Sequence, residues 1–449
     1  MIQAYEYYYG IDENEDEEED EDEDEDGGNK AGKAQKDIKS EEHLESNNVR
    51  IFRSQAIFEH TKTFLQDAIK ALRDIFDNFP LPASTGYFHE AFHLRVTREG
   101  CQFDGKVHPG GDTVLNLLPE WLKHAAVSGY GDVRNQATKI DLDVRNACEI
   151  PSDEFSVDKE LLDRIEAEWA ESFLPRKVQA KPYKIHLYGP EGHFKSHRDT
   201  PEMNLVGTFL LGLGDTVRGA KGSLVVNGIE NGLTAEPCSW VAFHPDVPHA
   251  VLSLPKSHYR AVIAFKIFSA PDNSEPTENA IQTSVNEALA KMRPPFGIFL
   301  DRQYCMGTSK LSGFDTILLT AAYSRKDKCR IYTLPVITKF NSKRGVGVDH
   351  EIEPLTETKV YPFTEAHVDV LLGRRANATS EVPWLKDVKD LPFYYLRLDE
   401  NAITWAEKKD DGAEYTGNES RPASQDSIYL SYSLVVLPGE SVEGDESGK

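Results

Sequence analysis

The chain of 449 residues has no run approaching 18 consecutive apolar residues, so no segment is long enough to cross a bilayer as a helix. Its first twenty residues, MIQAYEYYYGIDENEDEEED, lack the basic start and apolar stretch of an export signal, and their acidity is the opposite of a transit peptide. Cysteine is scarce: Cys101, Cys148, Cys238, Cys305 and Cys329 are five in number, widely spaced, with no C-x-x-C pair. That excludes both a disulfide framework and a zinc ribbon. No Walker A pattern, no G-x-S-x-G and no Cys-His nucleophile pair stands out. Together these absences predict a soluble chain of a reducing compartment, cytoplasmic or nuclear, without a membrane partner.

Positive charge is also in short supply, with 50 Lys and Arg against 75 Asp and Glu, for a formal net charge of −25. From Asp12 to Asp26 every residue except Asn14 is acidic, and a polar stretch continues to about Asn48. Such a segment repels itself and has nothing to bury, so residues 1–48 read as a disordered acidic tail and linker. It is either a solubility tail or a bait for a basic protein partner. The rest has an ordinary acidic balance, and no direct nucleic-acid binding is expected.

Helical spacing of apolar residues over Ile51 to Ile75 stops at Pro80, a short helix is expected over Pro119 to Ala126, and Ser156 to Phe173 is amphipathic and ends before Pro175. The period then changes. Tyr183 to Phe268 reads as β runs punctuated by glycine: PYKIHLY, NLVGTFLLGL, GSLVVNG, SWVAF and YRAVIAFKIF. Close-spaced strands predict an α+β chain with a double-stranded β-helix, or jelly-roll, over residues 49–270. A linker is expected at 271–285, a C-terminal α+β domain at 286–438 and a polar tail at 439–449. Within the first unit, Gly212-Leu213-Gly214 reads as a turn between strands.

Six of the 14 histidines lie in the β-rich stretch: His186, His193, His197, His244, His249 and His258. His197-Arg198-Asp199 forms an H-x-D, His249 follows about fifty residues later at the end of a β run, and Arg260 eleven after that. Residues i and i+2 of an extended segment face one side, so His197 and Asp199 can reach one ion, with His249 closing the triangle from a neighbouring strand. Two His and one carboxylate form the facial triad of a non-haem Fe(II) site, leaving positions open for a 2-oxo acid and dioxygen. Arg260 would offer a planar, permanently charged fork to a distal carboxylate.

A lone H-x-D is weak evidence, and His367-Val368-Asp369 is a second match with no histidine following it. His193 and His197 are four apart, but Gly189, Pro190 and Gly192 argue against a helix there, which excludes a helical zinc pair. His244 competes with His249 for the distal place; His249 is preferred because it runs directly into Ala250-Val251-Leu252. Trp240 and Phe243 read as sandwich core rather than substrate-stacking rings.

The run Tyr188-Gly189-Pro190 … Gly192-His193-Phe194-Lys195-Ser196-His197-Arg198-Asp199-Thr200-Pro201, with Gly222-Ser223-Leu224-Val225-Val226 and Trp240-x2-Phe243-x2-Asp246-x2-His249-x-Val251, resembles the prolyl-4-hydroxylase-like branch of the 2-oxoglutarate/Fe(II)-dependent dioxygenases. The match covers about Lys181 to Phe268; VRNQATKIDLDVRNACEI and YTGNES are similar to flanking segments of fungal members. The resemblance implies a jelly-roll core and a dioxygenase that hydroxylates an unactivated C–H bond of a protein or peptide, such as proline, releasing succinate and CO2. It implies Fe(II) on His197, Asp199 and His249, 2-oxoglutarate held by Arg260 and contacted by Tyr188, and ascorbate as an accessory. Collagen-type members carry lysine in the place of Arg260, a departure that argues against a collagen-like substrate. Two other readings stand beside this one: a catalytically idle interaction protein whose tail binds basic partners, and a metal enzyme that does not use 2-oxoglutarate.

Overall fold

Each described helix buries one stripe of side chains, and those stripes decide what the strands pack against. A computed structural model describes residues 63–79, 83–132, 137–216, 224–227, 229–233, 235–271, 280–305, 308, 310–343, 355–362, 392–396, 405–411, 415–416, 419–420 and 424–439. The acidic tail, the second H-x-D at His367–Asp369 and residues 440–449 lie outside them. Among the described residues the α-helices are α1 (Thr63–Asp77), α2 (Leu118–His124), α3 (Lys159–Ser172), α4 (Ala280–Ala290) and α5 (Gly313–Tyr323). Among the described residues no helix is long and apolar enough to cross a membrane.

Helix α3 shows how the local sequence works. Asp158 caps it by accepting from the Leu161 amide at 2.8 Å. Leu161, Ile165 and Trp169, four apart, form its buried face.

The strands are antiparallel with one parallel pair among the described ladders. The first unit holds β1 (Ala83–Tyr87), β2 (Phe92–Val96), β3 (Phe103–Val107), β4 (Ala126–Val127), β5 (Tyr130–Asp132), β6 (Ala137–Lys139), β7 (Arg145–Asn146), β8 (Cys148–Pro151), β9 (Phe155–Val157), β10 (Val178–Tyr188), β11 (His193–His197), β12 (Leu205–Asp215), β13 (Leu224–Val226), β14 (Ile229–Leu233), β15 (Ser239–Phe243), β16 (His249–Val251) and β17 (Arg260–Ser269). A seven-stranded sheet runs β1-β15-β12-β17-β10-β8-β4 and a five-stranded sheet runs β14-β13-β16-β11-β7.

Alternation sorts the side chains of the larger sheet. Ala261, Ile263, Phe265 and Ile267 of β17 join Ile185, Leu187, Trp121 and Trp169 in one buried cluster beneath α2 and α3. On the other face Tyr188, Val241 and Phe243 meet Leu224, Val226 and Val251 of the smaller sheet. The expected turn at Gly212-Leu213-Gly214 is instead part of β12, which bulges between Gly212 and Gly214 against β17. The glycine serves close approach: a Cβ at Gly212 would lie 2.2 Å from the Glu236 carbonyl and 2.6 Å from that of Ala235.

The C-terminal strands β18 (Phe296–Phe299), β19 (Cys329–Lys343), β20 (Leu355–Pro362), β21 (Phe393–Tyr394), β22 (Trp405–Asp411) and β25 (Ser424–Pro438) form a six-stranded sheet, with β23 (Tyr415–Thr416) and β24 (Glu419–Ser420) paired apart from it. Helices α4 and α5 cover one face. The last six residues of the expected linker, from Ala280, are already helical; residues 272–279 lie outside the described ones. Helix α1, grouped by sequence order with the first unit, buries Ala68, Ile69, Leu72 and Phe76 against Val285, Leu289 and Phe314 of α4 and α5, with Phe76 and Phe314 edge to face at 5.1 Å. Periodicity marks a buried face but does not name its partner.

Candidate metal centre

Three short segments converge at one end of the smaller sheet. Strand β11 ends on His197, which pairs across the ladder with His249, the first residue of β16. Asp199 lies two residues beyond, anchored by its amide donating to the Pro245 carbonyl at 2.9 Å. One ligand atom from each of His197, Asp199 and His249 lies within 4.8 Å of the others, and His249 Nε2 is 3.9 Å from Asp199 Oδ1.

The surrounding bonds orient the donors. His197 Nδ1 meets the Lys195 carbonyl at 2.9 Å and His249 Nδ1 meets that of Val247 at 3.0 Å. A carbonyl only accepts, so each Nδ1 carries the proton and each Nε2 keeps its lone pair. The Thr208 hydroxyl donates to Asp199 Oδ2. Phe194 stacks on the His197 ring with centroids 3.5 Å apart, and Phe243 lies 4.6 Å from that of His249. Burial, then the adjacent His249, depress the His197 pKa to about 3, so its ring is neutral across the working range. Neutral imidazoles with free Nε2 atoms and a carboxylate are the donors a hard-to-borderline divalent ion needs, and the set fits Fe(II).

The other candidates are separated by the packing. His244 is buried in a different place, its Nδ1 on the Val206 carbonyl at 2.9 Å and its ring edge-on to Trp169 and Phe173. Burial takes its pKa to about 3. Trp240 stacks on Phe209 in the outer core, whereas Phe243 faces the histidine pair. His193 bonds the carbonyls of Glu191 and Asp143.

Arg260 opens β17, opposite Tyr188 of β10 and Asp215 of β12. It lines a cavity of about 200 Å³ with Thr85, Leu210, Gly212, Val241 and Val262. Its Nη1 donates to Asp215 Oδ2 at 3.1 Å, the two side chains being 2% and 1% exposed. None of His197, Asp199 and His249 lines that cavity. Tyr188 is buried in the inner cluster, and burial raises its pKa. Sequence reasoning missed Thr208, an ordinary strand residue until the fold brings it to Asp199, and Asp215, which the ladder brings to Arg260.

No family model and no curated protein sequence matches the chain. Among solved structures it is similar to a Pseudomonas putida prolyl-4-hydroxylase, with 12% identity over 45% of this chain and 99% of that one, TM-score 0.28. A Trichoplax adhaerens prolyl hydroxylase in complex with a hypoxia inducible factor oxygen degradation domain peptide fragment shares 14% identity over 47% and 94%, TM-score 0.27. The viral collagen prolyl hydroxylase of Paramecium Bursaria Chlorella virus-1, in its 2OG complex, shares 16% over 28% and 81%, TM-score 0.23. All three are distant likenesses.

Proposed function

We propose that the chain is an Fe(II)- and 2-oxoglutarate-dependent dioxygenase that hydroxylates an unactivated C–H bond of a protein side chain such as proline, with release of succinate and CO2. The observation that carries the reading is the convergence of two imidazole Nε2 atoms and one carboxylate oxygen at a common point. In this reading the two facing sheets are the walls of a jelly-roll, residues 49–270 form the oxygenase unit and residues 286–438 a second domain. His197, Asp199 and His249 hold the iron, Arg260 and Tyr188 hold the cosubstrate, and ascorbate is an accessory reductant. The acidic tail either keeps the chain in solution or recruits a basic protein partner, in the cytoplasm or nucleus.

Bound together, iron and 2-oxoglutarate supply the oxidising chemistry. The chain's own residues arrange it. The Lys195 and Val247 carbonyls fix both imidazole tautomers, Thr208 holds one oxygen of Asp199 so that the other faces the metal, and Phe194 and Phe243 wall the rings from water. Two-oxoglutarate-dependent succinate formation that disappears in His197→Ala tests the reading; succinate formation persisting in that variant would end it.

A second reading, a metal enzyme that does not use 2-oxoglutarate, is favoured by one observation: Arg260 already has a buried carboxylate partner in Asp215. It predicts that Arg260→Ala leaves activity intact.

A further inference from the structure

The turn of residues 244–248, between β15 and β16, carries the carbonyls that fix two of the three candidate ligands. Pro245 accepts the Asp199 amide at 2.9 Å, and Val247 meets His249 Nδ1 at 3.0 Å. The turn is closed by the Val247 amide donating to the His244 carbonyl at 3.0 Å, and the Pro248 carbonyl accepts from the Asn227 amide at 2.8 Å. Displacing this one turn moves Asp199 and His249 together, whereas His197 is oriented from its own strand by the Lys195 carbonyl. A turn joining two strands ordinarily runs over the surface. This one is buried, with His244 2% and Asp246 3% exposed.

What holds the turn in place lies far along the chain. Asp246 Oδ1 accepts from Arg302 Nη1 and Oδ2 from the Gln303 amide, each at 3.2 Å, across 56 and 57 positions of sequence. That segment has a foundation of its own: Asp315, in the first turn of α5, accepts the amides of Asp301 and Arg302 at 2.9 and 3.0 Å and the Tyr304 hydroxyl at 2.8 Å. Asp301 brings a second carboxylate to Arg302 Nη2 at 3.1 Å. The start of α5 also abuts the turn directly, since a Cβ on Gly313 would lie 3.4 Å from His244 Nε2 and 3.6 Å from Arg302 Nε. A carboxylate gripped at both oxygens is fixed in orientation as well as position, and so is the backbone that bears it. The peptide on the amino side of Asp246 contains the Pro245 carbonyl, and the Val247 carbonyl is one residue beyond it. A metal site needs its ligands held to within about 0.5 Å, and groups one hydrogen bond removed from the ligands are worth ~10–100-fold in metal affinity.

We infer that Arg302 is a positioning residue of the metal centre: through Asp246 it sets the turn that presents the Pro245 and Val247 carbonyls to Asp199 and His249, so that the segment 301–303 and the start of α5 govern how tightly the metal is held. The inference rests on the part of the proposed function that places a metal on His197, Asp199 and His249, and it is independent of the cosubstrate and of the group oxidised. A segment more than fifty residues beyond the last ligand thereby belongs to the metal centre.

The test uses the full chain and the variants Asp246→Asn, Arg302→Lys, Arg302→Gln and the double variant Asp246→Asn/Arg302→Gln. Co(II), a spectroscopic stand-in for Fe(II) with the same donor preference, is titrated into each metal-free protein without oxygen and followed by visible absorption, and urea unfolding of each is measured alongside. Arg302→Gln is expected to bind Co(II) ~10–100-fold more weakly. Arg302→Lys, which keeps the charge without the planar fork, should fall between it and the wild type. The double variant should lose no more affinity than the weaker single one, because both changes act through one contact. Coupling between two sites is reciprocal, so Co(II) is expected to slow hydrogen exchange of the Arg302 and Gln303 amides in the wild type and to leave it unchanged in Asp246→Asn. If Arg302→Gln does not unfold cooperatively, Asp246→Asn and Arg302→Lys decide. Co(II) affinity equal to wild type in those two variants, with only the unfolding midpoint lowered, overturns the inference and leaves the proposed function standing. A wild type that takes up no Co(II), or whose uptake survives His197→Ala, overturns both.

Discussion

Thr208 is a strand residue whose hydroxyl decides how Asp199 meets a metal. It occupies Oδ2, leaving Oδ1 turned toward His249 Nε2. Thr208→Val keeps the shape and removes the donor, so the carboxylate is free to rotate, and metal affinity is expected to fall by ~10–100-fold in a titration of the apo-protein. Gly207, one residue earlier, acts on stability instead. A Cβ there would lie 2.0 Å from Trp169 Cη2, so Gly207→Ala pushes α3 off the sheet and is expected to cost ~1–3 kcal/mol in urea unfolding. The H-x-D and the distal histidine were legible in the sequence because ligand chemistry restricts residue type. The choice between His244 and His249 was weighed on local pattern; in the fold only the ring of His249 lies with His197 and Asp199, and that of His244 lies against Trp169.

At the scale of elements, the loop between β15 and β16 is held by the segment that follows β18. Asp246, three residues before His249, accepts from Arg302 Nη1 and from the Gln303 amide, each at 3.2 Å. Arg302 is also 3.1 Å from Asp301. Asp315 accepts the amides of Asp301 and Arg302 and the Tyr304 hydroxyl. Three buried acids thus surround one guanidinium. Arg302→Ala would strand Asp246 and Asp301 without a cation and is expected to destabilise by ~3 kcal/mol in chemical denaturation, since breaking a buried pair leaves a bare charge. Because Asp246 tethers the segment leading to His249, the same variant should weaken metal binding. Helix boundaries were read closely from caps and prolines, as at α3. The partner of α1 was not, because burying Leu72 and Phe76 satisfies the helix against any apolar surface of the right shape.

At the scale of the whole molecule, buried titratable groups set the pH response. His244 and His197 are held neutral at about 3, and His186 well below its ordinary value, all chiefly by burial. A histidine depressed in the folded state contributes stability that is complete above ~6.5 and is lost as pH falls toward the folded value. Asp315 acts oppositely: burial, then Asp301, raise it to about 7, so its contribution is present below ~3.9 and lost as pH rises through 7. The histidines outnumber the acid, and the metal-free protein is expected to lose stability from pH 6.5 to 5. Urea unfolding at pH 5, 6 and 7 measures the slope, which His244→Gln should reduce by about one proton.

Local order was written in the amino-acid sequence: amphipathic stripes, strand runs, and the residue types able to hold a divalent ion, each of which follows from side-chain spacing and donor chemistry within a few residues. Tertiary structure alone decided the rest. Which acid neutralises which buried guanidinium, that Asp215 meets Arg260 and Asp246 meets Arg302, and that α1 packs on α4 and α5 depend on strand register and sheet order. Charge pairing acts over a few ångströms in space, and residues 45 or more positions apart reach that range only after the ladders have formed.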